Sequence, residues 1–135
     1  MHPAYLETRF RTVAPIDVRP QEFAIITAYA TTGETWTQEK NEAADRRLSE
    51  ELRGRGVWLR RLTGFLPSTG HAEPGWAAAL SWEEACDLGW SYRQDAIYFV
   101  RDDMLYVSHC QSTRRLLVPV AVFSERLDSL DATAD

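Results

Sequence analysis

The stretch FAIITAY at residues 23–29 decides the fold, because it is a nearly unbroken run of apolar, β-branched and aromatic residues of strand length. A run without regular polar alternation is typical of a strand covered on both of its faces. We therefore predict a central strand here, with other parts of the chain packed above and below it.

A helix is predicted after this strand, over residues 38–53. Thr35 or Thr37 can cap its first turn, and Gly54 or Gly56 can end it. The three-and-four spacing of a helix face then predicts the inward residues Asn41, Ala44 or Asp45, Leu48 and Leu52.

Shorter patterns predict the remaining elements. They indicate strands at residues 57–63, 76–80, 96–100, 104–108 and 116–123, turns at 31–34 and 101–103, and a loop at 66–75. Ser81 and Glu84 form a capping box that begins a second helix. Pro119 has no backbone N–H, so the last strand should lie at an edge of the sheet.

The order of these elements predicts a fold between α/β and α+β. We expect a single mixed β-sheet of about five or six strands with two main helices, α/β in its first half and antiparallel in its second. A length of 135 residues fits one domain. Within that domain we expect an N-terminal arm and linker at 1–20, a core at 21–123 and an acidic, frayed tail at 124–135.

Charge and composition narrow the range of functions. The net charge is −5, which disfavours nucleic acid and anionic membranes as partners. No apolar run reaches the roughly 18 to 20 residues of a membrane span, and the first residues lack a secretory signal pattern. Cys86 and Cys110 are far apart in sequence, which favours buried reduced thiols. We therefore expect a soluble cytoplasmic protein and predict no cofactor and no metal.

One local exception to the acidic charge is a cluster of six arginines within sixteen residues. They are Arg46, Arg47, Arg53, Arg55, Arg60 and Arg61. The cluster has a local charge of about +4, but helix and strand periodicity distributes its side chains over different surfaces. A solvated surface explains it more simply than a nucleic-acid site.

Several short pieces of the sequence, taken in order, are similar to a known family. They are FAIITAY at 23–29, Lys40-Asn41-Glu42 with Leu48 and Leu52, Thr63-Gly64 with Pro67, Glu73-Pro74, and Gln94-Asp95-Ala96-Ile97. Over roughly residues 5–110 the chain resembles the bacterial domain-of-unknown-function family three-two-nine-three. That family has no assigned activity, so the resemblance implies a fold grouping and leaves the chemistry open.

One end of the predicted sheet gathers polar side chains. In open α/β sheets, ligands bind beyond the carboxyl ends of strands, next to helix N-termini whose free N–H groups attract anions. Thr27, Tyr29, Thr37 and Asn41 are predicted to lie there. The Asn41 amide could contact a ligand, although it could equally tie the preceding turn to the helix.

Three further side chains complete the predicted ligand site. Glu73 lies near His71 in the predicted loop, where the pair could perform acid–base chemistry, although Glu73-Pro74 could simply end a turn. Trp76 could line a pocket or fill the core. Gln94 precedes a buried strand and could contact a ligand or satisfy backbone groups.

Three functions fit this pattern. We favour a binding or regulatory module that recognises a small polar ligand or a protein partner. The alternative is a small hydrolase or transferase for a nucleotide-like or other anionic substrate, with Glu73 as general base and Asn41 or Thr37 orienting the anion. The third is a nucleic-acid-associated protein that uses the arginine cluster. No GxSxG, P-loop, GxGxxG or HExxH motif occurs in the sequence.

Overall fold

The structure, a computed structural model, describes residues 2–31 and 34–128. In chain order its strands and α-helices are β1 (Arg9–Arg11), β2 (Glu22–Ile26), α1 (Gln38–Gly54), β3 (Leu59–Phe65), β4 (Ala72–Ala78), α2 (Trp82–Ser91), β5 (Ala96–Arg101), β6 (Met104–His109), β7 (Val118–Val122), α3 (Phe123–Arg126) and β8 (Leu127–Asp128). Two short 3₁₀ helices occupy Pro3–Leu6 and Ser112–Arg114. No helix of this described part is long and apolar enough to cross a membrane.

The strands form one sheet that is strongly curled. Its order is β7-β6-β5-β2-β4-β3-β1-β8, with every pairing antiparallel except that of β1 with β8. In a flat sheet the two edge strands would lie about 34 Å apart, given the usual strand spacing. The chain passes from β7 to β8 through the four residues of α3, a path of at most about 18 Å. The sheet must therefore form a half-barrel with a concave and a convex face.

Contacts between strands that are not neighbours identify the concave face. The Phe123 ring, which follows β7, lies 5.9 Å from the Phe10 ring of β1 and 5.4 Å from the Phe23 ring of β2. Rings from such separated strands can meet only inside the curl. The buried residues of this concave core are Phe10, Ile16, Phe23, Ile25, Leu62, Ala77, Val100, Leu105 and Phe123.

Helices α1 and α2 cover the opposite, convex face. The buried stripe of α1 consists of Ala44, Leu48 and Leu52, and it belongs to the same apolar cluster as Ala24 and Ile26 of β2. These two β2 residues alternate with the ones that face the concave core, as the pleat of a strand requires. The prediction that β2 is covered on both faces is therefore confirmed.

Several local predictions are also confirmed. Thr37 caps α1, accepting a hydrogen bond from the Lys40 N–H at 3.1 Å, and the Ser81 and Glu84 capping box begins α2. The predicted hairpin is formed by β5 and β6. β7, which contains Pro119, is an edge strand. Each of these features has a local sequence signal.

The predicted sheet of five or six strands with two helices is wrong. The described part of the chain contains eight strands and three α-helices. The extra strands are β1 and β8, whose three and two residues are too short to leave a periodic pattern. The predicted α/β first half is wrong as well, because β2, β4 and β3 pair antiparallel.

The start of β4 also differs from the prediction, since the strand begins at Ala72 and includes the last four residues of the segment assigned to a loop. Pro74 and Gly75 indicated that loop. A Cβ atom at Gly75 would lie 2.8 Å from the Ile26 carbonyl oxygen, so glycine here lets β2 and β4 pair closely. Glu73 is therefore a strand residue, held at a fixed position on the concave face.

The two ends of the chain add to this architecture. The predicted N-terminal arm contributes β1, and the first residues of the predicted tail form α3 and β8. The rest of that tail, residues 129–135, and residues 32 and 33 of the predicted turn lie outside the described residues.

Candidate functional site

A cavity of about 460 Å³ opens at one end of the concave face. The end of β2, the start of β4, the start of β5 and the N-terminal arm surround it. Its apolar wall combines aliphatic residues such as Ile25 with aromatic ones, among them Tyr5, Phe10, Phe65 and Tyr98. Cavities of this volume suit small organic ligands, which are held mainly by apolar walls and oriented by a few polar groups.

Besides Glu34, the described residues of the cavity wall include one further acidic side chain, that of Glu73. Its Oε2 lies 2.8 Å from Nε2 of His71, which is more exposed. The residue paired with Glu73 on β3 is Gly64, which has no side chain to cover the carboxylate. Cross-strand partners point to the same face. The space above Gly64 is taken by the side chains of Thr8 and Phe10, which lie 3.3 and 3.5 Å from where a Cβ atom would be. The Glu73 side chain is 28% exposed.

Three other predicted site residues line the cavity but bond to the backbone. Thr27 donates its hydroxyl to the Pro74 carbonyl at 3.0 Å. The Asn41 side-chain oxygen accepts a hydrogen bond from the Ala30 N–H at 2.9 Å. The Gln94 amide donates to the carbonyls that follow β2 and α2, and Gln94 is buried. These side chains fix the segment after β2, which forms the rim of the cavity.

Not all of the seven predicted site residues lie together. Tyr29 lies in the cavity wall together with Thr27, Asn41, Glu73 and Gln94. Thr37 instead caps α1, as described above. Trp76 points to the convex face, where its indole N–H donates to Asp45 Oδ1 at 3.1 Å and Arg61 stacks over its ring at 4.4 Å. Five of the seven predicted residues thus share one cavity.

The N-terminal arm supplies a wall that sequence reasoning missed. The Tyr98 hydroxyl donates to the Tyr5 carbonyl at 2.8 Å and so ties the 3₁₀ helix of the arm to β5. Desolvation raises the pKa of Tyr98 above its ordinary value, so this hydroxyl stays protonated and can donate. Alternation along β5 puts Tyr98 on the same face as Val100 of the concave core, whereas the sequence pattern of the arm was too weak to classify.

The chemistry of the cavity is that of an acid–base pair between aromatic walls. Within residues 2–31 and 34–128, no group of three or more His, Cys, Asp or Glu side chains could hold a metal ion. Cys86 and Cys110 are free, buried and part of the convex core. Burial raises the pKa of Cys110 to about 12 and also raises that of Cys86. Neither thiol supplies a thiolate nucleophile.

The fold and the cavity together define a small antiparallel half-barrel with an amphipathic site at its open end. The family described as "Protein of unknown function (DUF3293)" matches residues 26–97, which is more than half of the chain. The chain belongs to this family. The match is shorter than the expected 5–110, yet it includes all five predicted residues of the cavity. No curated protein and no solved structure matches the chain.

Proposed function

We propose that the protein is a binding module that holds a small molecule in the end cavity, with the Glu73 carboxylate as its polar anchor. The observation that carries this proposal is the partly exposed Glu73 carboxylate in the wall of a cavity that the Phe10 and Tyr98 rings also line. A carboxylate in such surroundings favours a protonated amine or another strong hydrogen-bond donor. The ligand class is therefore a compact molecule with an apolar, preferably aromatic, body and a cationic or donor head group.

The geometry gives less support to the hydrolase or transferase alternative for anionic substrates. Asn41 and Thr37 were expected to orient the anion, but both accept hydrogen bonds from nearby backbone N–H groups. Glu73 and Glu34 both line the cavity, and their negative charge opposes an anionic substrate. The His71 and Glu73 pair remains the one feature that favours catalysis, since such a pair can transfer protons.

The head-group preference is tested with three probes that share one aromatic body: 2-phenylethylamine, 2-phenylethanol and phenylacetate. Calorimetric titration of the full chain should give the order amine, alcohol, acid, with the amine at least about tenfold tighter than the acid. Glu73→Gln should weaken amine binding about tenfold and leave alcohol binding nearly unchanged.

Glu22→Gln is the matched control, because Glu22 is a strand carboxylate outside the cavity that pairs with Arg101 at 3.1 Å. It should leave the affinity for all three probes unchanged. Equal affinities for the three head groups, or equal effects of the two substitutions, would contradict the proposal. Hydrolysis of 4-nitrophenyl acetate that is lost in Glu73→Gln while amine binding persists would favour the enzyme instead.

We also propose that the protein works in the cytoplasm. Both cysteines are free and buried in the same apolar cluster. A reducing compartment keeps such thiols unpaired, which supports this location.

A further inference from the structure

A second concavity lies on the other side of Trp36, between α1 and the turn that follows α2. This cleft also has a volume of about 460 Å³. Three cations line it, Lys40, Arg47 and Arg93, together with the aromatic rings of Trp36 and Tyr92. Trp36 lines both the cleft and the end cavity.

Ion pairs occupy half of the twelve other cations in the described part of the chain and none of the three in the cleft. Six arginines there form ion pairs, namely Arg9, Arg19, Arg55, Arg61, Arg101 and Arg115. Lys40, Arg47 and Arg93 form none with any described residue. In a chain of net charge −5, they concentrate positive charge in one concave place.

The acid of the cleft does not neutralise these cations. Glu51 is the acidic residue of the lining, and its two oxygens are already engaged. One accepts a hydrogen bond from the Tyr92 hydroxyl at 3.2 Å, and the other pairs with Arg55 at 3.3 Å. The lining therefore has three cations and one occupied carboxylate, a local charge that attracts an anion.

The backbone of Arg93 provides a second, independent observation. Arg93 has a φ of 61°, in the left-handed region where glycine is favoured at the end of a helix. The Gln94 N–H donates to the Gly89 carbonyl at 2.9 Å across this turn, as in the usual glycine-containing helix ending. An arginine at this position makes the fold less stable than a glycine would. Its side chain lines the cleft.

We infer that this cleft binds a small molecule bearing a phosphate group, with a planar group of the ligand against Trp36 or Tyr92. Two guanidinium groups can each bind phosphate oxygens in a bidentate manner, and Lys40 adds a point charge. Lys40 Nζ already lies 4.2 Å from the centre of the Trp36 ring, so charge and ring surface are adjacent. The inference is independent of the end cavity and of Glu73.

Titration of the full chain in phosphate-free, low-salt buffer tests the inference and distinguishes the sources of phosphate. The probes are inorganic phosphate, ribose 5-phosphate and AMP. We expect saturable binding with AMP tightest, because its base adds stacking on an aromatic ring. Arg47→Gln and Arg93→Gly should each weaken AMP binding about tenfold, the loss of one charge-assisted interaction.

Two controls separate this effect from unfolding and from general electrostatics. Arg93→Gly relieves the left-handed backbone, so it should raise the melting temperature while it weakens binding. Arg46→Gln removes the same charge from the neighbouring exposed residue of α1, which lies outside the cleft, and should leave AMP affinity unchanged.

Three results would overturn the inference. The first is the absence of saturable AMP binding to the wild-type chain. The second is equal weakening of AMP binding by Arg46→Gln and Arg47→Gln, which would mean that the general positive charge of the surface causes binding and the cleft does not. The third is tighter binding of a single-stranded oligonucleotide than of AMP with equal dependence on Arg46, which would assign the surface to nucleic acid.

Discussion

The convex and concave faces of the half-barrel are buried by different means. On the convex face small residues such as Ala24 and Ala78 lie under α1 and α2, and both are fully buried. On the concave face large rings such as Phe23 and Phe123 fill the part of the curl at the start of β2, and the cavity opens at the end of β2. Burial of a strand on both faces therefore does not mean that both faces are filled to the same density.

We predict that large buried side chains away from the cavity are essential for stability on both faces. Phe23→Ala should lower the free energy of unfolding by about 3–5 kcal/mol, and Leu48→Ala on the convex face by about 2–5 kcal/mol. Both residues are 0% exposed. Urea unfolding followed by circular dichroism measures the two losses. A loss below about 1 kcal/mol for Phe23→Ala would show that the concave core is loosely packed.

A larger side chain in place of alanine should reduce stability more on the convex face than at the cavity wall. Ala24→Val adds volume under the helices and should cost about 1–3 kcal/mol, since overpacking strains a filled core. Ala96→Val adds the same volume at the cavity wall and should change stability by less than about 0.5 kcal/mol. The same unfolding measurement compares the pair. Equal losses for the two variants would remove the distinction between a filled and an open face.

One of the hydrogen bonds that hold the N-terminal arm against the open end can be removed alone. Tyr98→Phe deletes the hydroxyl that donates to Tyr5 and should cost about 1 kcal/mol. Because the ring stays in place, the effect should be concentrated in the arm. Hydrogen–deuterium exchange should accelerate in residues 2–8 and stay unchanged in α1. Uniform acceleration across the chain would indicate a general loss of stability instead.

The smallest predicted effect is a dependence of stability on pH. It arises from Glu84 at the start of α2, the helix that covers part of the convex face. Hydrogen bonds from Ser81 at the start of α2 lower the pKa of Glu84 from its ordinary value of 4.5. A carboxylate with a lowered folded-state pKa stabilises the protein above its unfolded-state pKa, and this stability is lost as pH falls through the folded-state value. Glu84→Gln keeps the capping hydrogen bonds and removes the charge.

That variant should lower the free energy of unfolding by about 0.5 kcal/mol at pH 7 and by much less near pH 3. Unfolding curves of both proteins at the two pH values provide the comparison. A difference that is as large at pH 3 as at pH 7 would mean that the charge of Glu84 has no part in it.

The parts of the fold that were predicted from the sequence are those specified by residues close together along the chain. The central strand, the Thr37 cap and the Ser81 capping box depend on neighbours within a few residues. β1 and β8 are instead held by pairing with distant strands and are too short to leave a pattern. Pro74 and Gly75 gave a local loop signal that tertiary pairing with β2 and β3 overrides.

The candidate site shows the same limit. Thr27 and Asn41 lie together at the end of β2, where a strand end and a helix start led us to expect them. Gln94 joins them, although the sequence showed only that it precedes a buried strand. Trp76 was grouped with Glu73 on the assumption of a loop. Within a strand, residues three apart point to opposite faces, so the earlier start of β4 sends Trp76 to the convex face and leaves Glu73 on the concave one.

The central claim is that the open end of the concave face holds a ligand against Glu73. Intermolecular nuclear Overhauser effects between 2-phenylethylamine and the isotopically labelled chain test it most directly. We predict that the ring protons of the probe show contacts to Phe10 and Tyr98, and that these contacts are strongly weakened in Glu73→Gln at a probe concentration near the wild-type Kd. Contacts confined to other surfaces, or contacts unchanged in Glu73→Gln, would contradict the account.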